Sequence, residues 1–534
     1  MKKLIKVHPD DNVAIALTDL AKGDKIIFEG ETVVPLSDVK AKHKISLGDL
    51  ESGSKIIMYG VLVGKTNIKL PKGALLTIDN VKHLSSKTTE KTTSFNWSPP
   101  DVSQWENRIF MGYHREDGQV GTENIWLFFP LVFCENKNIE RLKEVFEKEL
   151  CVEQVSEQRQ LLRGLLGGDS EIQEKQPKKS IFENIKVKFI THQGGCGGIR
   201  QDSELLAKLL AGYVNNGNVA GATVLSLGCQ NLQINVFKEA LYKVNPNIKK
   251  PVLIYEQQQM GTVDNMLNTV IKDSFLAIKE ANKVERKPAP LSKIKLGLEC
   301  GGSDGFSGIS ANPTLGHASD VIAALGGSPI LSEFPELCGV EQELVNRCVD
   351  NEKAEKFLRL MQSYEQSAVD AGSGFDMNPS PGNIKDGLIT DAMKSAGAAK
   401  KGGTSPITDV LDYTEFVLKP GLNLLCTPGN DVESTTGMVG SGANLVVFTT
   451  GLGTPTGNPI APVVKISSNT ILAEKMPDII DVDTGPVIRG EKSIQEMGEE
   501  LLEYLIKVAS GELVAKADKL GQDDFIPWKR GVSL

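Results

Sequence analysis

Short apolar runs separated by turn residues dominate the first part of the chain. Runs such as 25–28 (KIIF) and 55–59 (KIIMY) lie between glycines that include Gly23, Gly48 and Gly60. Strand-length apolar runs bounded by glycine turns are typical of β-structure. The pattern predicts a small all-β domain over residues 1–84.

Polar residues replace this pattern after the β-rich domain. The segment 85–101 (SSKTTEKTTSFNWSPPD) is rich in Ser and Thr and ends in two prolines, which predicts a linker over 85–104. A second break at 283–292 (KVERKPAPLS) contains two prolines. It divides the remainder into predicted domains at 105–287 and 288–534.

Near-continuous apolar runs then alternate with helix-periodic segments such as 139–150 and 493–509. This alternation predicts α/β domains with mainly parallel sheets. Each apolar run ends in a cluster of glycine, cysteine and polar residues. These transitions lie at 187–198, 224–231, 295–305, 422–430 and 446–458. Because ligands bind beyond the carboxyl ends of parallel strands, the sequence predicts the functional site there. Residues 171–180 (EIQEKQPKKS) predict a surface insertion.

Charge and composition narrow the class of protein. Lys and Arg total 59 against 68 Asp and Glu, a net charge of −9, which opposes nucleic-acid binding. The longest apolar run, 125–134, is half the ~20 residues that a membrane span needs. Eight cysteines are scattered along the chain. The cysteines predict reduced thiols and a cytoplasmic location, and the short apolar run predicts no membrane partner.

Potentially reactive side chains gather at the predicted strand ends. The carboxylates there are Glu299, Asp304, Glu333, Glu336, Asp431 and Glu433. The cysteines there are Cys196, Cys229, Cys300 and Cys426. Such residues suit a divalent cation, although capping carboxylates and buried thiols would explain the same positions. Because the chain has only six histidines, His43 and His192 are candidates for proton transfer, with a turn residue as the alternative for His43.

One motif favours a different enzyme class. Residues 301–305 (GGSDG) fit the G-x-S-x-G nucleophile elbow of serine hydrolases, with Ser303 as nucleophile. The only later histidine, His317, follows after fourteen residues, which is too close for the usual order of that triad.

Several longer segments carry a family resemblance. They are 297–315 (GLECGGSDGFSGISANPTL), 378–383 (NPSPGN), 401–411 (KGGTSPITDVL), 424–430 (LLCTPGN) and 449–456 (TTGLGTPT). Through them the chain resembles the altronate/galactarate dehydratase family over nearly its whole length. Its N-terminal domain is similar to that family's SAF-type β-clip. Residues 332–344 (SEFPELCGVEQEL) look more like the altronate branch, whereas Glu123 stands where the family often has a basic residue.

The resemblance implies a hydro-lyase that converts D-altronate to 2-keto-3-deoxy-D-gluconate by removing the C2 proton and the C3 hydroxyl. Galactarate or another aldarate or aldonate is the alternative substrate, and a sugar-acid sensor without turnover is a further reading. The implied cofactor is a divalent metal ion. Fe(II) is the favoured ion, and Mn(II) and Mg(II) are the alternatives. A homodimer is the implied assembly.

The same resemblance, together with the strand-end positions, assigns candidate roles. The candidate catalytic residues are His43, His192, Glu299 and Asp304. The candidate metal ligands are Cys196, Glu299 and Glu333. The candidate substrate-binding residues are Gly301, Gly302, Ser303, Asn312, Asn430, Gly453 and Thr454.

The linker has a mechanical implication. About seventeen extended residues span up to ~55 Å, so the N-terminal domain can reach a strand-end site of its own or of a neighbouring subunit. The resemblance implies that it acts there as a lid that delivers His43. The alternative is that this domain only mediates assembly and that His43 is a solvated turn residue.

Overall fold

The computed structural model describes residues 2–86, 88, 90–150, 157–166 and 181–534. The surface insertion predicted at 171–180 lies outside these residues. The chain forms two compact units. The first unit comprises Met1–Gly112 and Pro288–Trp528, and the second comprises Tyr113–Lys287 and Lys529–Leu534. The first and last parts of the chain therefore fold together, with the second unit inserted between them in sequence.

The N-terminal module, residues 2–84, is made of short strands. They are β1 Leu4–Ile5, β2 Val13–Ala16, β3 Ile26–Phe28, β4 Glu31–Val33, β5 Lys44–Ser46, β6 Lys55–Met58, β7 Val61–Thr66 and β8 Val81–Lys82. They pair antiparallel in the orders β1-β2-β5, β3-β4 and β6-β7-β8. Leu4, Ala14, Val39 and Ile45 are buried in one small core. The predicted all-β module is confirmed.

The second unit is built on a four-stranded parallel sheet. Its strands and the preceding hairpin are β9 Ile109–His114, β10 Val120–Gly121, β11 Ile125–Pro130, β12 Lys186–Phe189, β13 Val219–Ser226 and β14 Val252–Glu256. The helices are α1 Asn136–Leu150, α2 Glu157–Leu165, α3 Arg200–Asn215, α4 Ile234–Val244, α5 Gln257–Met260 and α6 Val263–Ala281. The sheet order is β12-β11-β13-β14. The long apolar run of the sequence is β11, whose residues are all buried at the centre of this sheet.

The C-terminal part of the first unit contains a seven-stranded parallel sheet. Its strands follow β15 Lys287–Pro290 and are β16 Lys295–Cys300, β17 Ser328–Leu331, β18 Ile407–Leu411, β19 Leu422–Leu425, β20 Leu445–Thr450, β21 Val463–Ser467 and β22 Val482–Asp483. The helices are α7 Ala311–Ala324, α8 Glu341–Arg347, α9 Asn351–Asp370, α10 Pro381–Lys385, α11 Asp391–Ala398, α12 Asp431–Gly440, α13 Thr470–Lys475, α14 Gly485–Arg489, α15 Ile494–Ala509 and α16 Lys516–Lys519. The sheet order is β18-β19-β17-β16-β20-β21-β22. Parallel sheets with intervening helices confirm the predicted α/β class.

The described residues of the segment 85–104 form no helix or strand. They are nevertheless fastened to the C-terminal part of the same unit. The backbone N–H of Thr92 donates to Asn346 (3.1 Å), and the indole N–H of Trp97 donates to Thr404 (3.1 Å). Among the described helices, none is long and apolar enough to cross a membrane.

Candidate active site

Four carboxyl groups gather at the carboxyl edge of the seven-stranded sheet. Glu299 lies at the end of β16, Glu333 and Glu336 follow β17, and Asp431 begins α12 after β19. We call these four residues the acidic cluster. Strands β16, β17 and β19 are neighbours in the sheet, so the fold brings together side chains that are far apart in sequence.

Two lysines pair with the acidic cluster. Lys401 donates to Glu333 (2.8 Å), and both side chains are almost completely buried. Lys394 donates to Glu336 (2.5 Å) and to the amide oxygen of Asn378 (3.0 Å). Because only two ammonium groups face four carboxyl groups, the cluster keeps an excess of acidic groups.

Two oxygens of the cluster accept no hydrogen bond from the described residues. They are Oε1 of Glu299 and Oε1 of Glu333, and both are buried. The other oxygen of Glu299 accepts from Ser434 (2.7 Å). One oxygen from each of Glu299, Glu333 and Asp431 lies within 4.8 Å of the others. Buried carboxylate oxygens without donors fit a divalent cation, which prefers oxygen ligands.

The pKa shifts of the buried carboxyl groups are those expected of a cation-binding site. Burial raises the pKa of Glu299 well above its usual range, and the nearby Glu333 raises it further. Burial, followed by the charges of Glu333 and Glu336, raises the pKa of Asp431 to about 7. Burial also acts on Glu336, but the adjacent Lys394 and Lys401 lower its pKa overall. A bound cation would relieve this mutual repulsion.

Cys300 adds a thiol to the same edge. Its Sγ lies 3.4 Å from Oε2 of Glu333 and 3.2 Å from Oε2 of Glu336. These three residues form a second group of potential metal ligands, which shares Glu333 with the first. Burial raises the pKa of the Cys300 thiol well above its usual range, so it donates to the carboxylates as a neutral group.

Backbone geometry at two positions supports this arrangement. Glu333 adopts a left-handed conformation with φ 63° and ψ 61°, which is uncommon for a non-glycine residue. Its N–H donates to the Thr427 hydroxyl (2.8 Å). A Cβ at Gly301 would overlap the Asp431 carboxylate. Only glycine at 301 lets Asp431 approach the end of β16.

The N-terminal module touches the C-terminal part of its own unit through the segment that carries His43. Lys42 pairs with Asp304 (3.0 Å) and with Asp386 (2.9 Å). Lys44 is buried and donates to the carbonyl of Gly387 (2.6 Å), and burial lowers its pKa to about 7. The half-buried His43 therefore lies between two anchored lysines.

Two glycines allow that contact. A Cβ at either Gly305 or Gly387 would meet the carbonyl of Lys42 at less than van der Waals distance. Nδ1 of His43 is 3.2 Å from the Ala41 carbonyl, and its Nε2 has no hydrogen-bond partner among the described residues. This nitrogen is the one available to a ligand.

Asp304 takes part in the contact between the N-terminal module and the C-terminal part of the unit. Besides Lys42, its carboxylate accepts from the Ser468 hydroxyl (2.8 Å) and from the Asn469 amide (3.2 Å). Three further bonds come from residues 306–307. With so many donors, Asp304 is suited to positioning Lys42 and His43.

His192 and Cys196 belong to the second compact unit. Nε2 of His192 is 2.7 Å from the Pro130 carbonyl, and its Nδ1 accepts from the N–H of Gly194 (3.1 Å). Both ring nitrogens are thus engaged by the backbone, which leaves His192 no nitrogen for proton transfer in this geometry. Cys196 is half-buried and, in the described chain, joins no group of three potential metal ligands.

We expect His192 to make stability pH-dependent. Burial lowers its pKa to about 4, while the unfolded value is about 6.5. The unfolded chain therefore takes up the proton first, and stability falls as the pH drops from 6.5 towards 4. At pH 5 the expected loss is about 2 kcal/mol. Thermal unfolding at pH 7.5 and 5 should show a smaller loss in His192→Gln, and an equal loss would contradict this assignment.

The predicted substrate-binding residues lie in two loops and two helix starts. Gly301, Gly302 and Ser303 follow β16, while Gly453 and Thr454 follow β20. Gly302 accepts backbone bonds from residues 451 and 452, which joins the two loops. The Asn430 side chain caps α12. The Asn312 side-chain amide donates a hydrogen bond to the Gly397 carbonyl and accepts one from the Thr449 hydroxyl. The loops stay candidates for substrate contacts, whereas both asparagine side chains already have structural partners.

The serine-hydrolase alternative lacks its triad. Ser303 is buried, with 4 % of its surface exposed, and no described histidine hydrogen-bonds its hydroxyl. Nε2 of His317 is buried without a partner in the described chain, and Gly498 packs against the ring. The G-x-S-x-G match is therefore a glycine-rich loop.

Comparisons with known proteins agree along the whole chain. Residues 2–84 match the altronate/galactarate dehydratase SAF domain, 112–282 the D-galactarate dehydratase/altronate hydrolase second domain, and 291–533 the D-galactarate/altronate dehydratase C-terminal domain. The chain is 35% identical to altronate dehydratase of Bacillus subtilis, over 100% of both chains. It is 33% identical to altronate dehydratase of Escherichia coli, over 99% of both. Identity to the galactarate dehydratase (L-threo-forming) of Escherichia coli is 28%, over 97% of this chain and 94% of that protein.

Proposed function

Because this chain belongs to the altronate/galactarate dehydratase family, a family of sugar-acid hydro-lyases, we propose that it converts D-altronate to 2-keto-3-deoxy-D-gluconate. The observation that carries the site assignment is the pair of unpartnered buried oxygens on Glu299 and Glu333. The preference for altronate over galactarate follows the higher identity to the two altronate dehydratases.

We propose that Glu299, Glu333 and Asp431 hold a divalent cation, and that this cation is Fe(II). When bound, the cation would supply Lewis acidity for acidifying the proton next to the substrate carboxylate. Lys401 and Lys394 add positive charge at the same edge, and they balance the acidic cluster. Lys394 is less deeply buried than Lys401. We therefore propose that the ammonium group of Lys394 binds the substrate carboxylate.

His43 is the proposed acid–base residue. Its free Nε2 takes the C2 proton, and the resulting imidazolium gives that proton to the departing C3 hydroxyl, which leaves as water. The enol that remains tautomerises to the 2-keto-3-deoxy acid. The ion pairs of Lys42 with Asp304 and Asp386 support this proposal, because they hold the residue next to His43. In the proposed arrangement the N-terminal module is the lid over the site.

The deciding experiment is a substrate panel. The full-length protein is stripped with a chelator and reloaded anaerobically with Fe(II), Mn(II) or Mg(II). Aldonates and aldarates are then assayed for a 2-keto-3-deoxy product. We expect chelation to abolish turnover of D-altronate and Fe(II) to restore it. Turnover of galactarate but not altronate would overturn the substrate assignment, while binding without turnover would favour a sensor.

We expect His43→Ala to lower kcat by at least ~10²-fold, a typical acid–base contribution, without changing metal content. Gly305→Ala should lower kcat in the same direction because its methyl group displaces the Lys42 carbonyl. Gly48→Ala is the matched control, since a Cβ there meets no atom within 4 Å. Normal turnover in both His43→Ala and Gly305→Ala would contradict the lid.

The proposed setting is the cytoplasm, and the proposed assembly is a homodimer. All seven cysteines in the described part of the chain carry free thiols, as expected in a reducing compartment. Light scattering of the purified protein measures the assembly directly.

A further inference from the structure

A third group of potential metal ligands also lies in the first compact unit. It consists of His83, Cys338 and Asp391, whose ligand atoms lie within 4.8 Å of one another. None of the three belongs to the acidic cluster. We propose that these residues form a zinc site that fastens the N-terminal module to the C-terminal part of the unit.

The three ligands come from three separate segments. His83 follows β8, the last strand of the N-terminal module. Cys338 follows the short 3-10 helix Phe334–Leu337, and Asp391 is the first residue of α11. Nδ1 of His83 pairs with Asp391. One ion bound here would therefore cross-link the end of the N-terminal module to two segments of the C-terminal part of the unit.

The donor atoms suit zinc better than a harder cation. Imidazole nitrogen, thiolate sulfur and carboxylate oxygen are the three side-chain ligands of protein zinc sites. Calcium and magnesium prefer oxygen ligands alone. The acidic cluster is dominated by oxygen, so the two sites select different ions by ligand type.

The surroundings of the site favour a cation. The carboxyl groups of Asp391, Glu341 and Glu365 lie near the Cys338 thiol. Asp391 is almost fully buried, and Cys338 and His83 are partly exposed, so an ion can enter from one side. A bound Zn²⁺ would stabilise the thiolate amid these acidic groups.

Gly339 lets the three segments come together. It has φ +91°, and a Cβ there would lie 2.9 Å from the Cβ of Ala392 and 3.2 Å from the Cβ of Ser85. Each of these three residues lies next to, or two positions after, a ligand in the sequence: Ala392 follows Asp391, Ser85 comes two positions after His83, and Gly339 follows Cys338. The close packing of their neighbours holds the ligands near one another in the absence of an ion.

Cobalt substitution tests the thiolate ligand. The full-length protein is reduced, stripped with a chelator and titrated with Co²⁺ under anaerobic conditions. We expect a near-ultraviolet thiolate-to-cobalt absorption band that saturates at one ion per chain. Cys338→Ser should lose the band, whereas Cys300→Ser should keep it. No band in the parent protein, or a band that depends on Cys300 instead, would overturn the proposal.

Zinc content gives a second readout that does not depend on activity. In Glu299→Gln, which disables the acidic cluster, elemental analysis should still find one zinc per chain after dialysis. His83→Asn in that background should weaken zinc binding at least ~10-fold. Because His83 is half-exposed, this change leaves the fold intact, which circular dichroism checks. Unchanged zinc affinity in the double variant would also overturn the site.

Discussion

Glu299→Gln is expected to lower kcat on D-altronate by about 10³-fold, the effect of removing one key electrostatic group from a buried site. Glutamine keeps the size of the side chain, but it removes the negative charge and replaces an unpartnered oxygen of the acidic cluster. Bound iron per chain should fall together with kcat. Turnover and iron content are measured on the same anaerobically loaded samples.

Glu433→Gln is the matched control for this change. Glu433 lies in the first turn of α12, two residues from Asp431, yet it belongs to no group of potential ligands in the described chain. We expect near-parental kcat and iron content from it. Iron-dependent turnover that survives Glu299→Gln would show that the cation binds elsewhere.

Lys401→Met is expected to destabilise the metal-free protein by about 3–5 kcal/mol, the usual result of leaving one partner of a buried ion pair alone. The side chain of Lys401 is 1 % exposed and that of Glu333 is 0 % exposed. Without the ammonium group, the carboxylates of the acidic cluster repel one another. The apparent melting temperature in the presence of a chelator measures the loss.

The neighbouring Lys400→Met provides the control. Lys400 is only partly buried, and the structure shows no ion pair for it among the described residues. Its replacement should leave the melting temperature nearly unchanged. Added Fe(II) should recover part of the stability of Lys401→Met because a cation replaces the missing charge. Equal melting temperatures for the two variants would contradict the assigned role of Lys401.

Much of the fold could be predicted because its signals are local. Strand-length apolar runs and glycine turns are sufficient to recognise the β-rich module, and abrupt strand ends are sufficient to recognise parallel sheets. The same reasoning found Glu299 and Glu333, because each lies within two residues of a strand end. Parallel topology then brings such ends together whatever the sequence distance between them.

The lysines of the site could not be predicted in this way. Lys394 and Lys401 lie on a helix and a 3-10 turn, where lysine is common and normally solvated. Only the tertiary fold buries them against carboxylates. Lys401 stands at the start of a segment that carries the family resemblance, which was the one available signal.

Local context also cannot separate a reactive histidine from a structural one. His192 precedes a glycine cluster after a strand, the setting that predicts a functional residue. Its two backbone bonds come from Pro130 and Gly194, and the first of these is a long-range contact that no local pattern encodes. His43 lies in an ordinary turn, and its position depends on the ion pairs of Lys42 with Asp304 and Asp386.

The division of the first compact unit between the two ends of the chain has a consequence for biosynthesis. Lys42 leaves the ribosome 344 positions before its partner Asp386. At translation rates of about 5–20 residues per second, that interval lasts roughly 20–70 s. During this interval the N-terminal module stays folded while its surface around Lys42 has no partner. The inserted second unit can complete its own sheet in the same period. The module therefore depends on its own small core, and the acidic cluster is complete only after Asp431 has been synthesised.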